Sequence, residues 1–181
     1  SYEARTVIVA TGARPTALGL AGEDELRGHG VSYCATCDGM FYRGKHVFVV
    51  GGGNSAAEEA LFLARLASRV TMVVRKDHLR AQAAIVRELE ENERVEILLS
   101  TSVVALDGGE LPSRVTLRDN VTGETRTLDY DEGSFGVFVL VGRVPETGLV
   151  AGLVETDDAG YVVTDDRMAT VTPGLFVAGD V

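Results

Sequence analysis

His46-Val-Phe-Val-Val-Gly-Gly-Gly-Asn-Ser-Ala56 decides the fold. Its first five residues are apolar, β-branched or aromatic, and predict a buried strand. Glycines at 51 and 53 predict a tight turn, and the run from Asn54 to Ala67 has apolar residues near helical spacing. Arg69-Val-Thr-Met-Val-Val74 reads as a second strand. Strand, helix and strand in that order form a βαβ unit, whose strands run parallel. A helix from about Ala81 to Glu91 and a strand at Val95-Glu-Ile-Leu-Leu99 extend the same sheet.

Beyond Ser102 the character changes. Val103-Val-Ala-Leu, Val115-Thr-Leu-Arg and Arg126-Thr-Leu-Asp are short, alternating and separated by Gly, Pro, Asn and Asp, which predicts an antiparallel meander up to about Tyr130, with one turn at Val121-Thr-Gly-Glu124. Gly136-Val-Phe-Val-Leu-Val141 returns as a continuous apolar strand, expected at the sheet centre. The fold class is α/β, a Rossmann-like parallel sheet with an attached meander. The chain opens close to Arg5-Thr-Val-Ile-Val-Ala10, read as another buried strand, and closes in Leu175-Phe-Val-Ala-Gly-Asp-Val181. These abrupt ends are the expectation for a piece of a longer polypeptide.

With 181 residues, 45% of them hydrophobic and 24% charged, the chain is long enough to bury a core. No apolar run is long enough to span a bilayer and no secretory leader is evident, so a cytoplasmic address is the expectation. The excess of 27 acidic over 17 basic residues argues against binding nucleic acid or an anionic membrane.

The turn at Gly51, Gly53, Asn54, Ser55 and Ala56 carries the first chemistry. Two glycines let the backbone approach a pyrophosphate, Ala56 allows the helix to pack closely on the strand, and exposed amides at the helix start meet negative charge. Its candidate ligand is a dinucleotide, nicotinamide or flavin, against a glycine turn without a ligand. Where an NAD or FAD domain places an acid on the ribose, about twenty residues on, this chain has Arg75-Lys76-Asp77-His78-Leu79-Arg80. Arg75, Lys76 and Arg80, the last in the first turn of the next helix, suit the 2′-phosphate of NADPH. Asp77 keeps an NAD ribose open, and a solvated basic loop is the bland alternative.

Cys34-Ala-Thr-Cys37-Asp38 holds both cysteines of the chain. Two intervening residues permit a ring-closing disulfide and lower one thiol pKa, and Asp38 can exchange the proton that thiol–disulfide chemistry must move. The alternatives are inert thiols and half a zinc site completed by His29, His46 or His78, none of which has ligand spacing. Phe41 and Tyr42 read as core or interface residues.

These stretches, with Thr6-Val-Ile-Val-Ala-Thr-Gly-Ala-Arg-Pro15, Val141-Gly-Arg-Val-Pro145 and Thr172-Pro-Gly-Leu-Phe-Val-Ala-Gly-Asp180, resemble the low-molecular-weight bacterial thioredoxin reductases along essentially the whole chain. The resemblance implies a fragment of a two-domain FAD/NAD(P)-binding fold: residues 18–142 as an NADPH domain inserted between flavin-domain pieces at 1–17 and 143–181. It implies FAD contacts at Thr11, Gly12, Gly179 and Asp180, the last on the ribityl chain, and adds Val141, Gly142 and Arg143 to the NADPH site. It makes Cys37 the sulfur facing the flavin, Cys34 the sulfur attacking a thioredoxin-like partner, and Asp38 the acid/base. It further implies a homodimer and a nicotinamide domain that swings relative to the flavin domain. Val74-Arg75-Lys76 departs from the family's His-Arg-Arg. Two readings compete: a flavin dithiol oxidase that ignores nicotinamide, in which Arg75, Lys76 and Arg80 have no role, and a non-enzymatic NADPH-binding redox sensor.

Overall fold

The computed structural model describes residues 3–181. Two compact units divide it, one spanning Ala17–Val141 and one combining the residues up to Thr16 with Gly142–Val181. In chain order the strands are β1 (Val7–Val9), β2 (Ala13–Pro15), β3 (Val31–Ser32), β4 (His46–Val50), β5 (Arg69–Val73), β6 (Val95–Leu98), β7 (Thr101–Gly108), β8 (Pro112–Asp119), β9 (Thr125–Asp129), β10 (Phe135–Val139), β11 (Arg143–Pro145) and β12 (Leu175–Val177). The α-helices are α1 (Ala35–Asp38), α2 (Asn54–Ala64) and α3 (Ala83–Glu90).

The larger unit is built on a parallel sheet of order β3-β10-β4-β5-β6. Side chains alternate across it, and each face is buried. Val47, Val49, Val70, Met72 and Phe138 pack with the small residues Ala56, Ala57 and Ala60 of α2 and with Leu89 of α3. Phe48, Val50, Val73, Phe135, Val137 and Val139 pack against Val103, Leu106, Val115 and Leu117 of the antiparallel β7-β8-β9 meander. The meander therefore roofs the face that the helices leave open.

The α/β class, the parallel βαβ core and the meander agree with the sequence reading, and the differences have local causes. Helix α2 ends at Ala64, short of Ala67, because the next backbone groups serve the loop before β4: Gly44 donates to the Leu66 carbonyl and Ser68 to the Lys45 carbonyl. Helix α3 starts at Ala83 because the Arg80 and Gln82 amides are already taken by the Gly52 carbonyl and Asn54 Oδ1. The last strand of the unit is interior but not central, with β4 in the middle, because β3 adds beside it. That two-residue strand is too short to show periodicity. Strand β1 pairs in parallel with β12, yet only Val9 is buried; Val7 and Ile8 are 51% and 70% exposed, because no described residue packs over them.

His46 at the start of β4 is an unanticipated half-buried polar centre. Its Nε2 lies 2.9 Å from Thr71 Oγ1, its Nδ1 3.0 Å from the Tyr130 hydroxyl, and Thr71 reaches Glu96. Burial, aided by the Arg69 charge and opposed by Glu96, pushes the imidazole down to about 4. The unfolded chain, titrating near 6.5, then binds the proton first as pH falls. Stability present at neutral pH is lost between about 6.5 and 4, by about 1–2 kcal/mol once partial exposure is allowed for. His46→Phe is expected to remove that share of the slope in urea unfolding measured against pH; an unchanged slope contradicts it.

Candidate functional site

The two cysteines are joined, with Cα atoms 5.3 Å apart. Cys34 is half-buried and caps the start of α1, its sulfur accepting the Cys37 N–H at 3.2 Å; Cys37 is exposed. Ser32, Tyr33, Tyr42 and Glu59 hold this turn and its surroundings. Ser32, almost wholly buried, donates its hydroxyl to Asp38 Oδ2 at 2.6 Å and accepts the Cys34 N–H at 3.1 Å. Glu59 on α2 accepts the Ala35 N–H at 2.7 Å. Tyr33 donates to Glu23, whose carboxylate also takes the amides of Leu18, Gly19 and Leu20. Tyr42 packs edge-on to Phe138 and covers Gly136 so closely that a Cβ there would lie 2.1 Å from the ring.

The core-or-interface reading thus divides: Tyr42 is core, whereas Phe41, 73% exposed, and Met40, 60% exposed, stand on the surface just beyond the dithiol. Asp38 and Ser32 line a cavity of about 150 Å³ with Val31, His29 and Lys45 among its walls, large enough for water. The cysteines are bonded to each other, His46 to Thr71 and Tyr130, and His78 to Asp77, and among the described residues no three His, Cys, Asp or Glu side chains cluster as metal ligands would.

At the end of β4 the glycine turn leaves its backbone open to a ligand. Gly51 has φ 148°, and a Cβ there would meet the Leu140 carbonyl at 2.3 Å, whereas beside Gly53 there is open space. Gly53 precedes α2 and no side chain caps it, so the first amides, at Asn54, Ser55 and Ala56, are left for an anion. The side chain of Asn54 is engaged elsewhere, where its oxygen accepts the Gln82 N–H at 2.8 Å and pins the basic loop.

The structure separates the three cations of that loop. Arg75 and Lys76 line a cleft of about 590 Å³ with Ser102, Arg118, Asp119, Asn120 and Gly123. Arg80 lies outside it, in the loop before α3 and not in the helix, held to the glycine turn by its own amide. The meander frames the cleft, with Asn120 donating to the Arg75 carbonyl at 3.1 Å and Ser100 to the Lys76 carbonyl at 2.8 Å. Asp77 pairs with His78 at 2.6 Å, an interaction that lowers its pKa, and it does not line the cleft. The Asp119 carboxylate is turned to the amides of Val121 and Thr122. Among the described residues Arg75, Lys76 and Arg118 form no ion pair, which is the charge arrangement of an anion site.

Thr11, Gly12, Gly142, Arg143, Gly179 and Asp180 fall in the smaller unit, and Val141 ends the larger one. Thr11 donates to the Glu146 carbonyl at 2.6 Å, and Arg143 Nε lies 3.5 Å from Asp180 Oδ2. Arg143, assigned with NADPH, is therefore brought to the residue assigned to flavin. Gly12 and Gly179 have φ 75° and 82°, with open space where a Cβ would stand, so a ligand can approach both backbones.

A family model described as pyridine nucleotide-disulphide oxidoreductase matches residues 1–181. The chain belongs to that family. The thioredoxin reductase of Treponema pallidum is 49% identical over all of this chain and 57% of its own length, and that of Mycolicibacterium smegmatis 45% identical over 99% and 57%. Among solved structures, Lactococcus lactis thioredoxin reductase in its FR conformation superposes with TM-score 0.86 at 39% identity, covering 97% of this chain and 57% of that one. T. acidophilum thioredoxin reductase gives 0.86 at 35%, covering 99% and 58%. The chain thus spans a little over half the length of the relatives it matches, and its resemblance to thioredoxin reductases holds in sequence and in fold.

Sequence reasoning missed Ser32, Glu59 and Arg118. Glu59 leaves a signal, a carboxylate on the same helical face as Ala56, Ala60 and Leu63. Arg118 has only the in–out alternation of β8 after Val115 and Leu117, which says that it points outward and not what it meets.

Proposed function

We propose that this chain is the nicotinamide and dithiol part of an NADPH-dependent flavoenzyme that reduces the disulfide of a thioredoxin-like protein. The observation that carries the reading is the Cys34–Cys37 pair, bonded and tied through Glu59 to the helix that follows the dinucleotide turn. NADPH would lie on the amides after Gly53, with its 2′-phosphate toward Arg75 and Lys76. FAD, contributed to by Thr11, Gly12, Gly179 and Asp180, would supply two-electron transfer from nicotinamide to disulfide. The resemblance to low-molecular-weight thioredoxin reductases implies a homodimer in the cytoplasm. Among the described residues no helix is long and apolar enough to cross a membrane.

The chain's own residues account for the exchange chemistry. Two electrons and two protons convert the Cys34–Cys37 bond to a dithiol; one thiolate attacks the partner disulfide, the other closes the ring, and the partner leaves reduced. The exposed Cys37 is better placed than half-buried Cys34 to meet a macromolecule, which favours it as the attacking sulfur and reverses the assignment implied by the resemblance. Exposed Met40 and Phe41 add an apolar surface for that partner. Asp38, oriented by Ser32, holds the proton and exchanges it with water in the adjoining cavity.

The reading is tested by calorimetric titration of the chain with NADPH and NADH in parallel. Each charge-assisted hydrogen bond to the 2′-phosphate is worth about 1.5–3 kcal/mol. Arg75→Ala and Arg118→Ala are each expected to weaken NADPH by at least about tenfold while leaving NADH unchanged. Equal affinities for both cofactors in the unaltered chain would contradict the 2′-phosphate role of the cleft.

A further inference from the structure

Glu59 is a half-buried carboxylate that forms no ion pair with any described residue. Its position on α2 is the third beyond Ala56, on the face that packs toward the sheet, where an apolar residue would serve packing better. What it does instead is accept the N–H of Ala35 at 2.7 Å. Ala35 is wholly buried and directly follows Cys34. Of the amides in this turn, Cys37 N–H goes to the Cys34 sulfur, Cys34 N–H to Ser32, and Ala35 N–H to Glu59.

We infer that Glu59 is a positioning residue that tunes the redox poise of the dithiol, making it a stronger reductant. The carboxylate is anchored on the backbone of the residue that follows Cys34, and a negative charge there disfavours a nearby thiolate, as any like charge does. Stabilising the reduced form makes a dithiol pair more oxidising; opposing that stabilisation lowers the potential and favours electron donation. A partner disulfide is reduced only if this pair gives up electrons readily, so the charge is placed to suit the proposed direction of flow. The inference concerns the dithiol alone and stands apart from which nucleotide the glycine turn accepts.

The test uses the chain with Glu59→Gln and Glu59→Ala, equilibrated with dithiothreitol. That dithiol supplies the two electrons and two protons and leaves as its own cyclic disulfide, and the Cys34 and Cys37 thiols are counted by alkylation. The glutamine retains an oxygen for Ala35, so it removes charge while keeping the hydrogen bond. Glu59→Gln is expected to shift the dithiol–disulfide equilibrium toward dithiol by about three- to tenfold, about 15–30 mV on the scale where tenfold is 29.6 mV. The pH profile of alkylation of the reduced chain should move to lower pH, and Glu59→Ala should move both readouts in the same direction. Unchanged equilibrium and pH profile in a folded Glu59→Gln chain, as judged by circular dichroism, would reduce Glu59 to a structural cap and overturn the inference.

Discussion

Cys34→Ser and Cys37→Ser are each expected to abolish reduction of a thioredoxin-like disulfide in the flavin-loaded enzyme, because ring closure needs both sulfurs. Activity should fall to background, far beyond what altered packing at these two positions would cause. The two variants differ in what they trap. Cys34→Ser keeps the exposed sulfur, and with no second thiol to resolve it, should hold the partner as a stable mixed disulfide. Cys37→Ser keeps the half-buried sulfur that caps α1 and should trap little. Isolation of the mixed disulfide and mapping of its sulfur by mass spectrometry decides between them. Efficient trapping by Cys37→Ser would restore Cys34 as the attacking sulfur.

Asp38→Asn is expected to slow the disulfide exchange by about 100-fold or more, the usual range for a lost general acid–base group. The substitution keeps an oxygen for the Ser32 hydroxyl, so the turn should hold its geometry, and NADPH binding at the glycine turn after β4 should be unaffected. Stopped-flow mixing of the reduced enzyme with its partner separates these effects. A rate within about twofold of the unaltered protein, across pH 6 to 9, would remove Asp38 from proton transfer.

The features legible in the sequence were those in which chemistry is contiguous. The dithiol, the glycine turn and the strand–helix–strand around it each occupy one short stretch, and local propensity and tertiary structure agree there. The cationic loop was legible as a set of charges but not as an arrangement, because whether Arg75, Lys76 and Arg80 converge depends on hydrogen bonds from Gly52 and Asn54. Arg118 reaches the cleft only because the meander folds over the end of β5 and Asn120 ties it to Arg75. The Ser32–Asp38 bond spans six residues and the Glu59–Ala35 bond twenty-four, separations that no periodicity encodes. His46 likewise finds Tyr130 eighty-four residues away. The exposed Val7 and Ile8 show the converse limit: an apolar β-branched run specifies a strand, whereas burial depends on what packs over it.

The central claim is that electrons from NADPH arrive at Cys34 and Cys37. It is tested most directly by adding one equivalent of NADPH anaerobically to the flavin-loaded enzyme, alkylating, and locating the label by mass spectrometry. NADPH and one proton should convert the disulfide to two thiols, leaving NADP⁺ and label on both Cys34 and Cys37, with much less label from the same amount of NADH. Oxidation of NADPH with the Cys34–Cys37 bond left intact would contradict the account.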